Sequence, residues 1–329
     1  MEPKLMNNPK SALIIGIAGG LAQVTLNLLK RSYPNLAVVG VDSRATAHLP
    51  KKFNDHKNIS FKTIKYSRGN FENIFRENKF DIVIQLGRLS HKNVGDQESL
   101  SQRLDINVMG TKKILDLSLK FKVKKVILMS TYHVYGALSS NPVFMNEDQP
   151  LRASIVYPEL RDVVEMDQLA SNWMWKNQQA IDTVILRPCT IVGSKIHNLM
   201  MKYLQTSYAP ICSDFNPMFQ FIHEYDMAMT IINAIGKLPT GIYNVAPDEC
   251  ISLRQAKVTL DVEVMPIPSF ILLAAVKLVS NTLWHFPEYM LAYIKYSCII
   301  DNTLLKESYS GQELFKYSTR EALELSQLE

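Results

Sequence analysis

Apolar residues run with little polar alternation over Ser11–Ile15, Leu36–Val41, Phe80–Leu86, Lys125–Met129 and Thr183–Leu186. Such runs suit strands buried on both faces of a parallel sheet. Ile59–Ile64 reads as a further short strand. Between the runs, helices are predicted over Leu21–Leu29, Asn70–Glu77, about Gln97 to Phe121 and about Pro158 to Lys176. Alternating strands and helices predict an α/β fold, a doubly wound parallel sheet of Rossmann type. The stretch Ala137–Pro150, rich in Ser, Asn, Pro and Asp, reads as a loop. Beyond Pro188 the alternation breaks down among prolines, and a smaller mixed C-terminal substrate lobe is expected to begin there. The expected division is 11–187 with about 218–248 for the parallel-sheet domain, and about 188–217 with 249–329 for the lobe.

The first predicted strand runs into Gly16-x-x-Gly19-x-x-Ala22. In a dinucleotide-binding turn, a first glycine permits the bend and a second lets the backbone approach a pyrophosphate. A small third residue lets the helix pack on the strand. The amides at the helix start, around Gly20 and Leu21, then face phosphate. The next strand ends at Asp42, about 20 residues past the turn, where a ribose-binding acid is expected. Asp42 favours NAD, because its charge repels a 2′-phosphate. Arg44 could receive one, which keeps NADP open.

Composition narrows the class. With 329 residues, 47% hydrophobic and 20% charged, the chain has the size and balance of a soluble α/β protein. Four cysteines, Cys189, Cys212, Cys250 and Cys298, form no C-x-x-C pair and read as reduced thiols of a cytoplasmic protein. The net charge of +5 concentrates around Lys112–Lys125 without interleaved aromatics, which reads as a solvated face and no nucleic-acid site. Met1–Lys10 is polar and does not resemble a signal peptide. No stretch approaches the roughly 20 apolar residues of a membrane span. The apolar run Pro266–Val279 reads as a buried helix, with a lid over a hydrophobic substrate or a membrane-surface contact as alternatives. His133 and His223 lack a second ligand at suitable spacing, so no metal is expected.

Taken in order, several motifs resemble the extended short-chain dehydrogenase/reductase family, the NAD-dependent epimerase/dehydratase group. They are the glycine turn, Asp42, the strand Asp81–Leu86, Asn107-Val-Met-Gly-Thr111, Ser130-Thr-Tyr-His-Val-Tyr-Gly136, Tyr157, Leu186-Arg-Pro188 with Gly193, and Phe221–Asp226. The resemblance covers about 11 to 250. It implies an NAD(P)-dependent oxidoreductase or epimerase moving hydride to or from a hydroxyl or carbonyl of a small molecule. Thr131 would polarise the substrate oxygen, Tyr157 would exchange the proton, and Arg161 would stand where the family has lysine. Gly16, Gly19, Gly20, Leu21, Asp42, Arg44, Leu86, Gly87, Asn107, Tyr157, Arg161 and Pro188 would hold the cofactor. A homodimer through the two long helices is also implied.

Departures from the family pattern matter. Lowering a phenol from about 10 to about 7 takes roughly 4 kcal/mol, and one cation at about 4 Å supplies a similar amount at an effective dielectric near 20. Arginine keeps that charge, but its planar fork does not reproduce a compact ammonium. Thr190 and Phe219-Gln220 stand where nucleotide-sugar epimerases commonly carry the Asn and Arg that hold a diphosphate, which argues against that substrate. Arg88 reads as a phosphate ligand or, preferably, a solvated side chain. Asp226 is expected to cap or brace the helix that runs to about Gly236. A nucleotide-sugar epimerase or dehydratase with retained NAD, and a catalytically decayed NAD(P)-binding sensor, are the alternative functions.

Overall fold

The computed structural model describes residues 8–44, 58–88, 97–272, 287–309 and 313–328. Its first half alternates β1 (Ser11–Ile15), α1 (Gly20–Ser32), β2 (Ala37–Asp42), β3 (Ile59–Thr63), α2 (Arg68–Glu77), β4 (Ile82–Gln85), α3 (Gln97–Arg103), α4 (Gly110–Lys120), β5 (Lys125–Met129), α5 (Ala153–Val156), α6 (Arg161–Asn177) and β6 (Asp182–Pro188). Then come β7 (Thr190–Val192), α7 (Leu199–Gln205), β8 (Ala209–Cys212), β9 (Met218–Phe219), β10 (Phe221–His223), α8 (Glu224–Gly236), β11 (Gly241–Val245), β12 (Ile251–Ser252), α9 (Leu253–Thr259) and β13 (Val264–Ile267). Further helices span Glu288–Lys295, Thr303–Glu307 and Thr319–Leu328.

Seven parallel strands form the central sheet in the order β11-β6-β5-β4-β1-β2-β3. Its apolar runs are explained by burial on both faces. Ala12 and Ile14 of β1 join one core cluster, while Leu13 and Ile15 join another on the opposite side. The strand order reverses between β1 and β4, the place where open α/β sheets bind ligands. Small two-stranded sheets, β7 with β10, β8 with β13 and β9 with β12, lie outside this sheet.

Two predicted helices differ in detail. The run from Gln97 is not one regular helix, because Leu104–Met109 widens into a π turn between α3 and α4. The helix expected from Pro158 opens with a 3-10 turn over Pro158–Leu160 before α6 begins. In the apolar run Pro266–Val279, residues 273–279 lie outside the described residues. Among those described, no helix is long and apolar enough to cross a membrane.

Asp226 braces its surroundings. Its carboxylate accepts the Lys316 and Tyr317 amides at 2.9 and 3.0 Å, while the His223 side chain caps α8 by accepting the Tyr225 amide. The loop Ala137–Pro150 is tied down at Met145, which bridges to the strand-like stretch around Ile300.

Candidate active site

At the end of β1 the chain turns at Gly16 with φ +87°, and a Cβ there would fall 2.3 Å from the Gly87 α-carbon. Two bare backbones thus meet at the switch point between β1 and β4. Gly19 precedes α1, whose first turn has no side-chain cap and no acidic residue. The helix start is therefore open to an anion. Asp42, buried at the end of β2, accepts the Ala18 amide at 3.0 Å and the Arg44 amide at 2.9 Å, and pairs with the Arg44 guanidinium at 3.1 Å. Burial pushes the Asp42 carboxyl up, but the bonds from Arg44 and Ala18 outweigh it and hold the group below the ordinary carboxylate range. The Tyr66 hydroxyl is buried against Gly87 with no hydrogen-bond partner. A glycine cradle, an uncapped helix start, a ribose-type acid and an orphaned hydroxyl together fit a dinucleotide lying across the strand ends.

A second close approach covers α1. A Cβ on Gly20 would fall 1.8 Å from the Lys195 carbonyl oxygen, so the loop Gly193–Lys195 rests directly on the helix start. That loop is held from the other side by Glu224, whose carboxylate accepts the Lys195 amide at 3.1 Å. Gly193, at φ +148°, leaves room for the Glu224 side chain beneath it.

Beside the cradle lies a cavity of about 360 Å³. Leu21, Leu86, Arg88, Ser130, Thr131 and Pro188 contribute to its wall, joined by His133, Thr190, His197, Asn198, Tyr289 and apolar side chains. The Ser130 hydroxyl donates to Asp167 and is committed there. Asp167 also receives the Arg187 guanidinium bidentately, at 2.6 and 3.0 Å, and Arg187 bonds the Tyr135 hydroxyl at 2.8 Å. This buried network joins β5, α6 and β6 and sets the cavity floor. Thr131 caps the short turn Tyr132–Val134 by accepting the His133 amide at 3.3 Å. Accepting that bond leaves its hydroxyl proton available to a substrate oxygen.

Tyr157 and Arg161 do not line this cavity. On their side of the wall stand Leu160 and Val163. Tyr157 packs against the core, and the Arg161 side chain is 58% exposed and pairs with Glu165 on its own helix. Asn107 is also diverted, donating to the buried Asp162 carboxylate at 2.7 Å. The same carboxylate lies 3.5 Å from Arg103, a buried ion pair that fastens the π turn to α6. His133 packs edge-on against Tyr289 and Tyr293. Among the described residues, no group of three His, Cys, Asp or Glu could hold a metal ion.

The model of the NAD dependent epimerase/dehydratase family matches residues 12–246. The chain belongs to that family. An uncharacterized protein of Mycobacterium tuberculosis is 24% identical over 254 residues, 76% of this chain and 66% of that protein's own length. The chain thus spans just under two thirds of that family member. UDP-glucose 4-epimerase 2 of Arabidopsis thaliana is 27% identical over 260 residues, covering 70% of this chain and 72% of the plant enzyme. Among solved structures, dTDP-glucose 4,6-dehydratase from Bacillus anthracis in complex with NAD superposes with a TM-score of 0.73 at 17% identity. That superposition covers 96% of this chain and 95% of the dehydratase.

Sequence reasoning passed over Tyr289, the Arg103–Asp162 pair and the Lys195 contact. Tyr289 reaches the site from chain far beyond the motifs, and Lys195, two residues past Gly193, is marked by no local spacing. Arg103 and Asp162 are opposite charges on two predicted helices, but nothing in the sequence reading placed those helices against each other within the chain.

Proposed function

We propose that this family member binds NAD along Gly16–Leu21, Asp42 and Gly87 and uses it to oxidise or reduce a hydroxyl or carbonyl of a small molecule held against Thr131. The observation that carries this reading is the cavity, which opens at the ends of β4, β5 and β6 beside the glycine cradle and receives the Thr131 side chain. NAD supplies hydride transfer when bound. The chain's own part is to hold the dinucleotide on the α1 amides and Asp42, to orient the substrate oxygen with the Thr131 hydroxyl, and to exclude water with Leu160, Val163 and their apolar neighbours. Asp42 supports NAD over NADP; Arg44, spent on Asp42, would have to leave it to meet a 2′-phosphate.

A second reading, a cofactor-binding sensor without turnover, is favoured by one observation. The cavity wall carries Leu160 and Val163, while Tyr157 and Arg161 lie off it. A homodimer and a cytoplasmic location belong to the same proposal. The dimer is supported by Trp175, a large apolar side chain left exposed on α6.

Stripped protein is titrated with NADH and NADPH, then screened with UDP-glucose and with apolar alcohols and ketones. Near-stoichiometric NADH uptake with turnover that Thr131→Val removes is the expected result. Uptake of neither cofactor would overturn the proposal, and uptake without turnover on any substrate would select the sensor. Turnover abolished by Tyr157→Phe would return the proton exchange to that tyrosine.

A further inference from the structure

The cavity wall is mostly apolar, with one guanidinium, that of Arg88 just past β4. Thr190, on the cavity wall, and Gln220, off it, are both neutral and occupied. The Thr190 hydroxyl is 3.0 Å from the Tyr132 hydroxyl. Gln220 is buried, donating to the Pro247 and Ile300 carbonyls and accepting the Ile300 amide. Neither residue supplies charge to an anionic ligand, and His197 and Asn198 are further polar residues of the wall.

Arg88 is solvent-exposed, and no described side chain hydrogen-bonds its guanidinium. Among the described residues, the acidic groups near it are the Asp162 carboxylate and the Tyr289 phenol, which burial pushes up to about 12 and keeps neutral. Asp162 is already shared between Asn107 and Arg103. The Glu159 carboxylate, off the cavity wall, accepts the Tyr289 amide at 3.0 Å. We infer that Arg88 is the anion-binding residue of this cavity, taking the phosphate or diphosphate oxygens of a bound ligand from the β4 side. A guanidinium suits this because its fork matches a phosphate bidentately, and the apolar wall around it strengthens the attraction.

The inference rests on the cavity being the site proposed above and adds its ligand class, a molecule with an anionic group at one end. Two sources share that chemistry, the pyrophosphate of the cofactor and the phosphate of a substrate such as a nucleoside-diphosphate compound. Pyrophosphate and UDP are the probes, titrated calorimetrically into apo and NAD-loaded protein, with NADH followed separately by its fluorescence. Loss of a charge-assisted hydrogen bond corresponds to about tenfold or more in affinity. Arg88→Gln should weaken pyrophosphate and UDP by that factor, and Arg88→Lys should restore part of it.

NADH affinity unchanged in Arg88→Gln, with UDP binding to NAD-loaded protein, assigns Arg88 to the substrate. NADH weakened alongside, with pyrophosphate competing against NADH, assigns it to the cofactor. Pyrophosphate or UDP binding that ignores Arg88→Gln, or no binding of either probe in a protein that binds NADH unchanged by the substitution, overturns the inference. Wild-type protein that takes pyrophosphate in an Arg88-dependent way but neither NADH nor NADPH would fail the proposed function while leaving the anion site standing.

Discussion

The Arg161 guanidinium pairs with Glu165, one turn along its own helix and on the solvent side of α6. An exposed pair of this spacing contributes about 0.3–0.5 kcal/mol. Arg161→Ala should therefore lower the urea midpoint barely, and should leave NADH affinity within about twofold. Tenfold weaker NADH binding would mean that the side chain swings inward to the ribose when cofactor is present.

Asp167 has the opposite standing. It is fully buried, holds both nitrogens of the Arg187 fork and accepts from Ser130. Asp167→Asn strands a buried guanidinium, a loss of about 3–5 kcal/mol for a broken buried pair. Ser130→Ala removes one hydrogen bond and should cost about 1 kcal/mol. Equilibrium denaturation of the two variants should differ by that margin, and equal losses would show that the network is not paired as described.

Gly20 meets the Lys195 carbonyl across a gap with no room for a methyl group. Gly20→Ala should displace the Gly193–Lys195 loop from α1 and cost about 1–3 kcal/mol, the range for overpacking. Protease sensitivity of the peptide bonds around Ser194 should rise with it. An unchanged cleavage pattern and melting temperature would place the loop elsewhere.

Asp42 links this site to pH. Its folded carboxyl lies below its unfolded value, because the bonds from Arg44 and Ala18 outweigh the effect of burial. A group depressed in this way contributes stability above the unfolded pKa, near 3.9, and loses it as pH falls through the folded value. Unfolding free energy should therefore drop on the acid side of about pH 4, and Asp42→Asn should flatten that part of the curve. A variant with the same acid profile as the wild type would remove Asp42 from the account.

Much of this architecture was legible because the sheet writes itself into the chain. β5 begins and ends at the residues its apolar run marks, and the Gly16 turn is followed by a strand ending at Asp42 as dinucleotide binding requires. The placement of Tyr157 and Arg161, read as a site pair from their spacing, was less legible for a geometric reason. A four-residue spacing puts two side chains on one face only if both lie in the same α-helix. Tyr157 stands before a 3-10 turn, which advances the chain by about 120° per residue instead of about 100°. The phase is reset at Leu160, so that the end of the turn presents Leu160 and α6 presents Val163 to the cavity. Arg88 was ambiguous in sequence because nothing local distinguishes a solvated arginine from one at a cavity mouth. The π turn at Leu104–Met109 and the diversion of Asn107 depend on Arg103 and Asp162 meeting across two helices, a coincidence that no single stretch encodes.

The bridge from Met145 to Ile300 has a consequence for how the protein is made. Asp301 donates its amide to the Met145 carbonyl, and Asn302 bonds the Ala246 carbonyl at 2.6 Å, so the last part of the chain closes over the ends of strands laid down far earlier. The loop around Met145 is then expected to be completed only when the last part of the chain arrives. A nascent chain halted on the ribosome at residue 250 should remain protease-sensitive around Met145, and the same region should become resistant only once about residue 302 has cleared the exit tunnel.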